Sequence, residues 1–459
     1  MSEKSYAHAS NPCRQCTPLG ASWAFKGIEN CMSVLHGSQG CATYIRRYMI
    51  SHFREPIDIA SSSFDETTVI FGGEQNLEKA ILNVAQQYNP SVIGIGTTCL
   101  SETIGDDVDR IIITLKKKYP DLCPLIPVST PSYQGTQEEG FLRTVSAAVQ
   151  ALAGKYEFLG DKEADKSAEG AINLFTPMIS PADMRWIKNV MEDLDMNYTL
   201  LPDYSETLDG GMWSDYHAMP PGGTPMERII SMDQGEASLE LGSAYPDEWR
   251  PGYYLQKRFG VPNSRCGLPV GIDETDRFLT ILSEISGKEI PRAYGKARSR
   301  LIDAYSDAHK YLYGKKVVIF GDTSTVEALY RLVSEIGMDP VLCFTGSPTG
   351  ILPKTIERIP QPEASTEPPL IKENFDFGDA ESLIEELQPD LMIGNSKGYK
   401  ISRKTGIPLL RMGFPVHDRF GAARLRMLGY EGSAQLLDRI VNVVMEEKQS
   451  KSKVGYTYI

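Results

Sequence analysis

Three cysteines stand where a thiolate could do chemistry. Cys16 opens the string Cys16-Thr-Pro-Leu-Gly-Ala21, Cys41 closes His36-Gly-Ser-Gln-Gly-Cys41, and Cys99 sits in Thr97-Thr-Cys-Leu-Ser-Glu-Thr-Ile-Gly-Asp-Asp107. Gly37 and Gly40 bracket Ser38 and Gln39, so the backbone there can take positive φ and come close to a bulky group. Thiolates presented from such turns suit an iron–sulfur cluster, which needs soft ligands shielded from water and backbone N–H groups near its sulfurs. Taken singly, each cysteine is as readily a small buried hydrophobe. Spacing does not decide between the two, because the three lie far apart and no four-ligand run is present. Cys13 and Cys16 form one Cys-x-x-Cys, without the second pair that a zinc site needs.

The elements around them must form an α/β unit. Ser91 to Thr97 is a short apolar run of the kind that makes a fully buried parallel strand, and it delivers Cys99 just past its carboxyl end, where such sheets place ligands. Glu74 to Tyr88 puts Leu77, Ile81, Val84, Ala85 and Tyr88 on one helical face and stops at Asn89-Pro90. Helices are expected over Ala21 to Met32, Thr43 to His52, Asp106 to Lys118 and Glu139 to Ala153, with a strand over Pro124 to Ser129. Residues 1–10 read as a polar arm and Gly160 to Gly170 as a charged linker. Beyond it, Ile172 to Phe175 and Tyr198 to Pro202 read as strands around a helix capped by Ser180. The stretch from Asp203 to Ser231 has no clear period. Helical periodicity is expected in Ser238 to Ala244, Thr275 to Gly287 and Tyr294 to Leu312. A last β-α-β series runs through Lys316 to Asp322, a helix from Ser324, and strands at Pro340 to Thr345, Leu391 to Gly394 and Pro408 to Met412. Ile359 to Pro369 reads as an exposed loop. Gly321-Asp-Thr lacks both the dinucleotide and the P-loop glycine patterns, so nucleotide binding there is not expected.

At 459 residues the chain exceeds one hydrophobic core. Three doubly wound, Rossmann-like α/β domains with parallel sheets are expected, over 1–160, 161–313 and 314–459. A net charge of −13 argues against nucleic acid as a partner, since phosphate binding needs a basic face. Eight cysteines are too sparse for a disulfide scaffold, and neither an apolar leader nor a membrane-spanning run is evident. A cytoplasmic setting with reduced thiols is the expectation.

The three cysteine strings, together with His52-Phe-Arg-Glu-Pro56, Ser180-Pro-Ala-Asp-Met184, Leu201-Pro-Asp-Tyr-Ser-Glu-Thr-Leu-Asp-Gly210, Pro221-Gly-Gly-Thr224 and Gly413-Phe-Pro-Val-His-Asp-Arg419, resemble the β-type subunit of nitrogenase component 1 and its paralogues. The similarity covers nearly the whole chain. It implies the three-domain α/β architecture, and Cys16, Cys41 and Cys99 as this chain's ligands to a cluster shared with an α-like subunit, since three thiolates leave the set incomplete. The cluster would be of [4Fe–4S] or [8Fe–7S] type. Ser132, in Thr130-Pro-Ser-Tyr133, matches a hydroxyl that can ligate the oxidised eight-iron form, and is otherwise a turn or capping serine. A heterotetramer with the α-like subunit and transient docking of a reductase iron protein are implied as well. Cys13 and Cys31 fall outside the family's ligand positions, and Cys123, Cys266 and Cys343, in or beside apolar segments, read as structural.

His36 and His417 could tune a cluster or simply pack, and Glu102, Asp106 and Asp107 read as favourable charges at a helix start. No residue is assigned to catalysis, because in the family the active cofactor lies in the α-like subunit. Two roles remain. Ala24-Phe-Lys-Gly-Ile-Glu29, Leu201 to Gly210, Gly394-Asn-Ser-Lys-Gly-Tyr-Lys400 and Gly413 to Arg419 resemble the scaffold subunit that matures the iron–molybdenum cofactor, which is the first expectation. Retention of all three cysteines and Ser132 fits the alternative, the β-like subunit of a catalytic dinitrogenase or a nitrogenase-like alkyl thioether reductase.

Overall fold

The computed structural model describes residues 12–160 and 170–454. The polar arm at 1–10 and nearly all of the charged linker, 161–169, lie outside the described residues. The chain folds as two compact units, one of Gln15–Leu241 with Pro246–Arg265, the other built mainly of Cys266–Ile459.

The first unit opens with helix α1 (Thr17–Phe25), every residue of which is buried. Strand β1 (Cys31–His36) follows, then α2 (Gln39–Phe53), β2 (Ile59–Ser61), α3 (Glu66–Phe71), α4 (Glu74–Tyr88), β3 (Val92–Thr97), α5 (Cys99–Ile104), α6 (Val108–Lys118), β4 (Leu125–Val128) and α7 (Gln137–Leu152). The four strands form one parallel sheet in the order β2-β1-β3-β4. Leu77, Ile81 and Val84 of α4 and Ile111, Ile112 and Leu115 of α6 cover one face of it, against Met32, Val34, Ile93 and Ile95. Each such side chain contributes roughly 1.5–3 kcal/mol by leaving water. Trp23 of α1 meets Phe53, Phe141 and Tyr204 edge to face.

The helix expected over Ala21 to Met32 is therefore two elements. α1 ends at Phe25, and Cys31 to His36 is a strand in the middle of the sheet, buried at all six positions. Burial on both faces removes the alternation by which a strand is recognised, and burial all round removes the polar stripe from α1. The glycine turn is also corrected. Neither Gly37 nor Gly40 has positive φ, and Gly40 is part of α2.

The same unit holds a second sheet of order β6-β5-β7-β8, from β5 (Ile172–Phe175), α8 (Pro181–Asp193), β6 (Tyr198–Leu201), α9 (Met226–Ile230), β7 (Ala237–Leu241), α10 (Pro251–Phe259) and β8 (Asn263–Cys266). Ser180 caps α8 by accepting from the Asp183 N–H at 3.0 Å. The helical periodicity expected from Ser238 is contradicted by β7, all five of whose residues are buried. Glu240 within it is satisfied by Arg250, the Gly252 N–H and Asn263, so its charge lies inside.

The other unit contains α11 (Asp273–Ser286), α12 (Arg292–Leu312), β9 (Lys316–Gly321), α13 (Thr323–Glu335), β10 (Asp339–Thr345), α14 (Leu352–Ile356), β11 (Leu370–Lys372), α15 (Phe377–Leu387), β12 (Leu391–Gly394), α16 (Tyr399–Thr405), β13 (Leu409–Arg411) and α17 (Gly429–Lys451). Its five-stranded parallel sheet runs β11-β10-β9-β12-β13, around Val318, Phe320, Leu342, Phe344 and Met392. Among the described residues no helix is long and apolar enough to cross a membrane.

Candidate functional site

In the first sheet β1, β3 and β4 are neighbours in parallel register, with His36 opposite Thr97 and Gly96 opposite Val128. Their carboxyl ends share one edge, the position where open α/β sheets bind ligands. Past β1, Ser38 precedes α2 and Cys41 lies in that helix's first turn. Past β3, Cys99 is the first residue of α5, and the N–H of its cap Thr98 donates to Ser101 Oγ at 2.9 Å while the Thr98 hydroxyl donates to the His36 carbonyl at 3.0 Å. Past β4 comes the turn carrying Ser132, whose N–H donates to Cys99 Sγ at 3.3 Å. Cys16 caps the start of α1 in an extended conformation, and the next residue, Thr17, donates its hydroxyl to the Pro131 carbonyl at 3.4 Å. All four predicted residues thus sit around one edge of one sheet.

Gly37 makes the closest of these approaches possible. A Cβ there would fall 2.0 Å from Thr98 Oγ1, so only glycine lets the Cys41 turn lie flat on the residue before Cys99. Gly40 has nothing nearer than Ser38 Oγ at 3.8 Å and leaves bare backbone beside Cys41. Ser38 Oγ is 3.8 Å from Cys41 Sγ.

The thiols divide by environment. Cys99 is exposed and Cys16 and Cys41 are half-buried, whereas Cys13, Cys31, Cys266 and Cys343 are buried. Burial pushes Cys31 up to about 12 and half-buried Cys123 up to about 11, and also raises Cys13, Cys266 and Cys343. Burial thus disfavours the thiolate, the metal-binding form, at these five. Among the described residues no group of three or more His, Cys, Asp and Glu side chains closes on a point that could hold a metal ion. The motif cysteines line an edge.

His36 is wholly buried below this edge, with Nε2 3.0 Å from Asp106 Oδ2 and Nδ1 3.1 Å from Ser62 Oγ. Asp106 also accepts the Gly73 N–H at 3.0 Å. The histidine ties the end of β1 to the turn after α5. Burial, ahead of the opposing pull of Asp106, holds its ring below the ordinary 6.5. The unfolded chain takes up this proton at higher pH than the folded chain does, so the contribution is complete above about 6.5 and is lost as pH falls below it. Urea melts from pH 7.5 to 5.5 are expected to show stability falling by up to about 1.4 kcal/mol per pH unit, with a shallower slope in His36→Gln. His417 belongs to the other unit, where its N–H donates to Ser396 Oγ.

The helix-start reading of Glu102 and Asp106 missed their main contacts. Glu102 accepts the hydroxyls of Thr97 at 2.5 Å and Ser129 at 2.6 Å. The Thr97 contact is local, whereas the pairing of β3 with β4 brings Ser129 to the carboxylate. Asp107 does cap α6, accepting the Arg110 N–H at 3.0 Å. Tyr44, one turn after Cys41, was not singled out. Desolvation, then its hydrogen bond with Tyr48, raises its phenol, and Cys16 adds to the effect.

A family profile described as Nitrogenase component 1 type Oxidoreductase matches residues 16–445. The chain belongs to that family. It is 37% identical over 439 residues to the nitrogenase molybdenum-iron protein beta chain of Clostridium pasteurianum, covering 95% of this chain and 93% of that one. It is 30% identical over 446 residues to the iron-molybdenum cofactor biosynthesis protein NifN of Bradyrhizobium diazoefficiens, covering 96% and 91%. A structure titled Nitrogenase Cp1 at pH 6.5 superposes with a TM-score of 0.92 at 35% identity, over 100% of this chain and 98% of the other. The doubly wound α/β fold and the β-type position in nitrogenase component 1 both stand. Proteins of this family carry metal–sulfur clusters, and their β-type chains assemble with α-type chains into heterotetramers.

Proposed function

We propose that Cys16, Cys41 and Cys99 are this chain's ligands to an iron–sulfur cluster shared with an α-type partner, and that the chain relays electrons to a substrate-reducing cofactor held by that partner. The observation that carries this reading is the gathering of one exposed and two half-buried thiols with Ser132 at one sheet edge, with Cys99 Sγ already accepting the Ser132 N–H at 3.3 Å. The edge suits such a group. Its sulfurs are exposed or half-buried while burial disfavours the thiolate at the other five cysteines, and Gly40 leaves room beside Cys41. A bound cluster supplies one-electron transfer; this chain's residues supply position. Gly37 sets the Cys41 turn on Thr98, His36 braces it against Asp106, and Ser132 brings its N–H to the same edge.

A second role, the cofactor-maturation scaffold, is favoured by the strings Leu201 to Gly210 and Gly413 to Arg419 and by the likeness to NifN. Iron content and EPR of the anaerobically purified complex with its α-type partner, before and after oxidation, separate the two. An eight-iron interface with a new signal on oxidation is the expected result, and a plain four-iron signal would favour the scaffold. No iron at the interface overturns the ligand assignment.

A further inference from the structure

We propose that Glu102 is a positioning residue that fixes the Ser132 turn against Cys99 and so sets the redox poise of the cluster, an inference resting on the ligand assignment above. Glu102 lies three residues beyond Cys99 on α5, on the same side of the helix. One of its oxygens, Oε1, accepts both the Thr97 hydroxyl at 2.5 Å and the Ser129 hydroxyl at 2.6 Å. Hydrogen bonds to a carboxylate are shorter and about twice as strong as neutral ones. Because the Thr97 hydrogen is committed to Glu102, a lone pair of its oxygen faces the Thr130 N–H, which donates to it at 2.7 Å. Thr130 Oγ1 returns a bond to the Thr97 carbonyl at 2.6 Å. Two residues later the Ser132 N–H reaches Cys99 Sγ. The turn after β4 is thus fixed to α5 at two points, one a ligand sulfur and the other this carboxylate.

Donors to cluster sulfurs favour the more reduced, more negative state and raise the potential. Without Glu102's acceptor the turn loses its second tether to α5 and is held only by the Thr130 and Pro131 contacts, so the Ser132 N–H is kept less firmly on Cys99. Removing the carboxylate also removes a negative charge, which acts in the opposite direction. The informative comparison is therefore Glu102→Ala against Glu102→Gln, both uncharged, of which only glutamine keeps an acceptor oxygen.

Two readouts test it. In the full chain, hydrogen exchange of the segment containing the Thr130 and Ser132 amides is expected to be at least about tenfold faster in Glu102→Ala than in Glu102→Gln, an increase that loss of bonded protection produces. In the complex with the α-type partner, the ratio of reduced to oxidised cluster at a fixed potential, read by EPR, is expected to be about tenfold lower in Glu102→Ala, a 59 mV displacement for a one-electron couple. Should Glu102→Ala not assemble, Ser129→Ala, which keeps the charge, is compared with the unaltered chain, and both readouts are expected to move the same way. Equal exchange and equal redox ratios in the compared pair overturn the inference alone, provided Cys99→Ala still removes the cluster. An unaltered complex that holds no cluster overturns both this inference and the ligand assignment.

Discussion

Alanine at Gly20 is expected to destabilise the Gln15–Leu241 unit by more than about 3 kcal/mol or to prevent its folding, because it adds a methyl group where two backbones touch. Its Cβ would fall 1.7 Å from the Gln137 carbonyl oxygen and 2.6 Å from the Phe141 nitrogen. The contact is reciprocal. A Cβ on Gly140 of α7 would lie 2.0 Å from the Thr17 carbonyl. Flexible side chains can move aside, but here both obstacles belong to the first turns of α7, and α1 cannot retreat because Phe25 already lies over the bare backbone of Gly94 in β3. Urea melts of the purified chain measure the loss. Gly295→Ala is the control, being a helical position with nothing within 4 Å of the added carbon, where alanine should stabilise by roughly 0.5–1 kcal/mol. A Gly20→Ala melt within about 1 kcal/mol of the unaltered chain would mean that α1 and α7 are not in backbone contact. Since Cys16 caps α1, any displacement of that helix should also lower the iron bound by the complex with the α-type partner.

The same packing explains what could be read from the sequence. The helix at Glu74–Tyr88 and the strands at Ile172–Phe175 and Leu391–Gly394 carry their bounds openly. The first has a polar face and an apolar face with Asn89 in the left-handed conformation at its end, and the strands are short apolar runs between turn residues. Elements buried on every side lose that contrast. Helix α1 has no polar stripe, β1 has no alternation, and β7 hides Glu240 behind Arg250, so these were misplaced or misread. At the edge the cysteines were legible because each stands in a recognisable string. The groups that position them were not. Glu102 meets Ser129 and His36 meets Asp106 only after the strands have paired, across 27 and 70 residues of chain. A sequence displays ligand chemistry locally, whereas the brace that orients a ligand is a tertiary fact.

Substituting the cysteines should separate metal binding from packing in opposite directions. Cys99→Ala and Cys41→Ala remove accessible thiols at the end of a sheet, where the fold gains little from the sulfur. Melts of the cluster-free chain are expected to change by no more than about 0.5 kcal/mol, as for surface positions generally. Iron in the complex with the α-type partner should nevertheless be largely lost, because a thiolate cannot be replaced by a methyl group. Cys31→Ala and Cys266→Ala should behave in reverse. Both side chains are nearly inaccessible, at 4% and 1% exposure, so deleting the sulfur leaves a small cavity costing on the order of 1–2 kcal/mol. Iron content should stay at the unaltered level, since neither thiol lies at that sheet edge and burial disfavours the thiolate of both. The decisive quantity is the ratio of the two effects within each variant. Iron retained in Cys41→Ala and Cys99→Ala, or lost in Cys31→Ala without a matching loss of stability, would move the metal site away from the edge where β1 and β3 end.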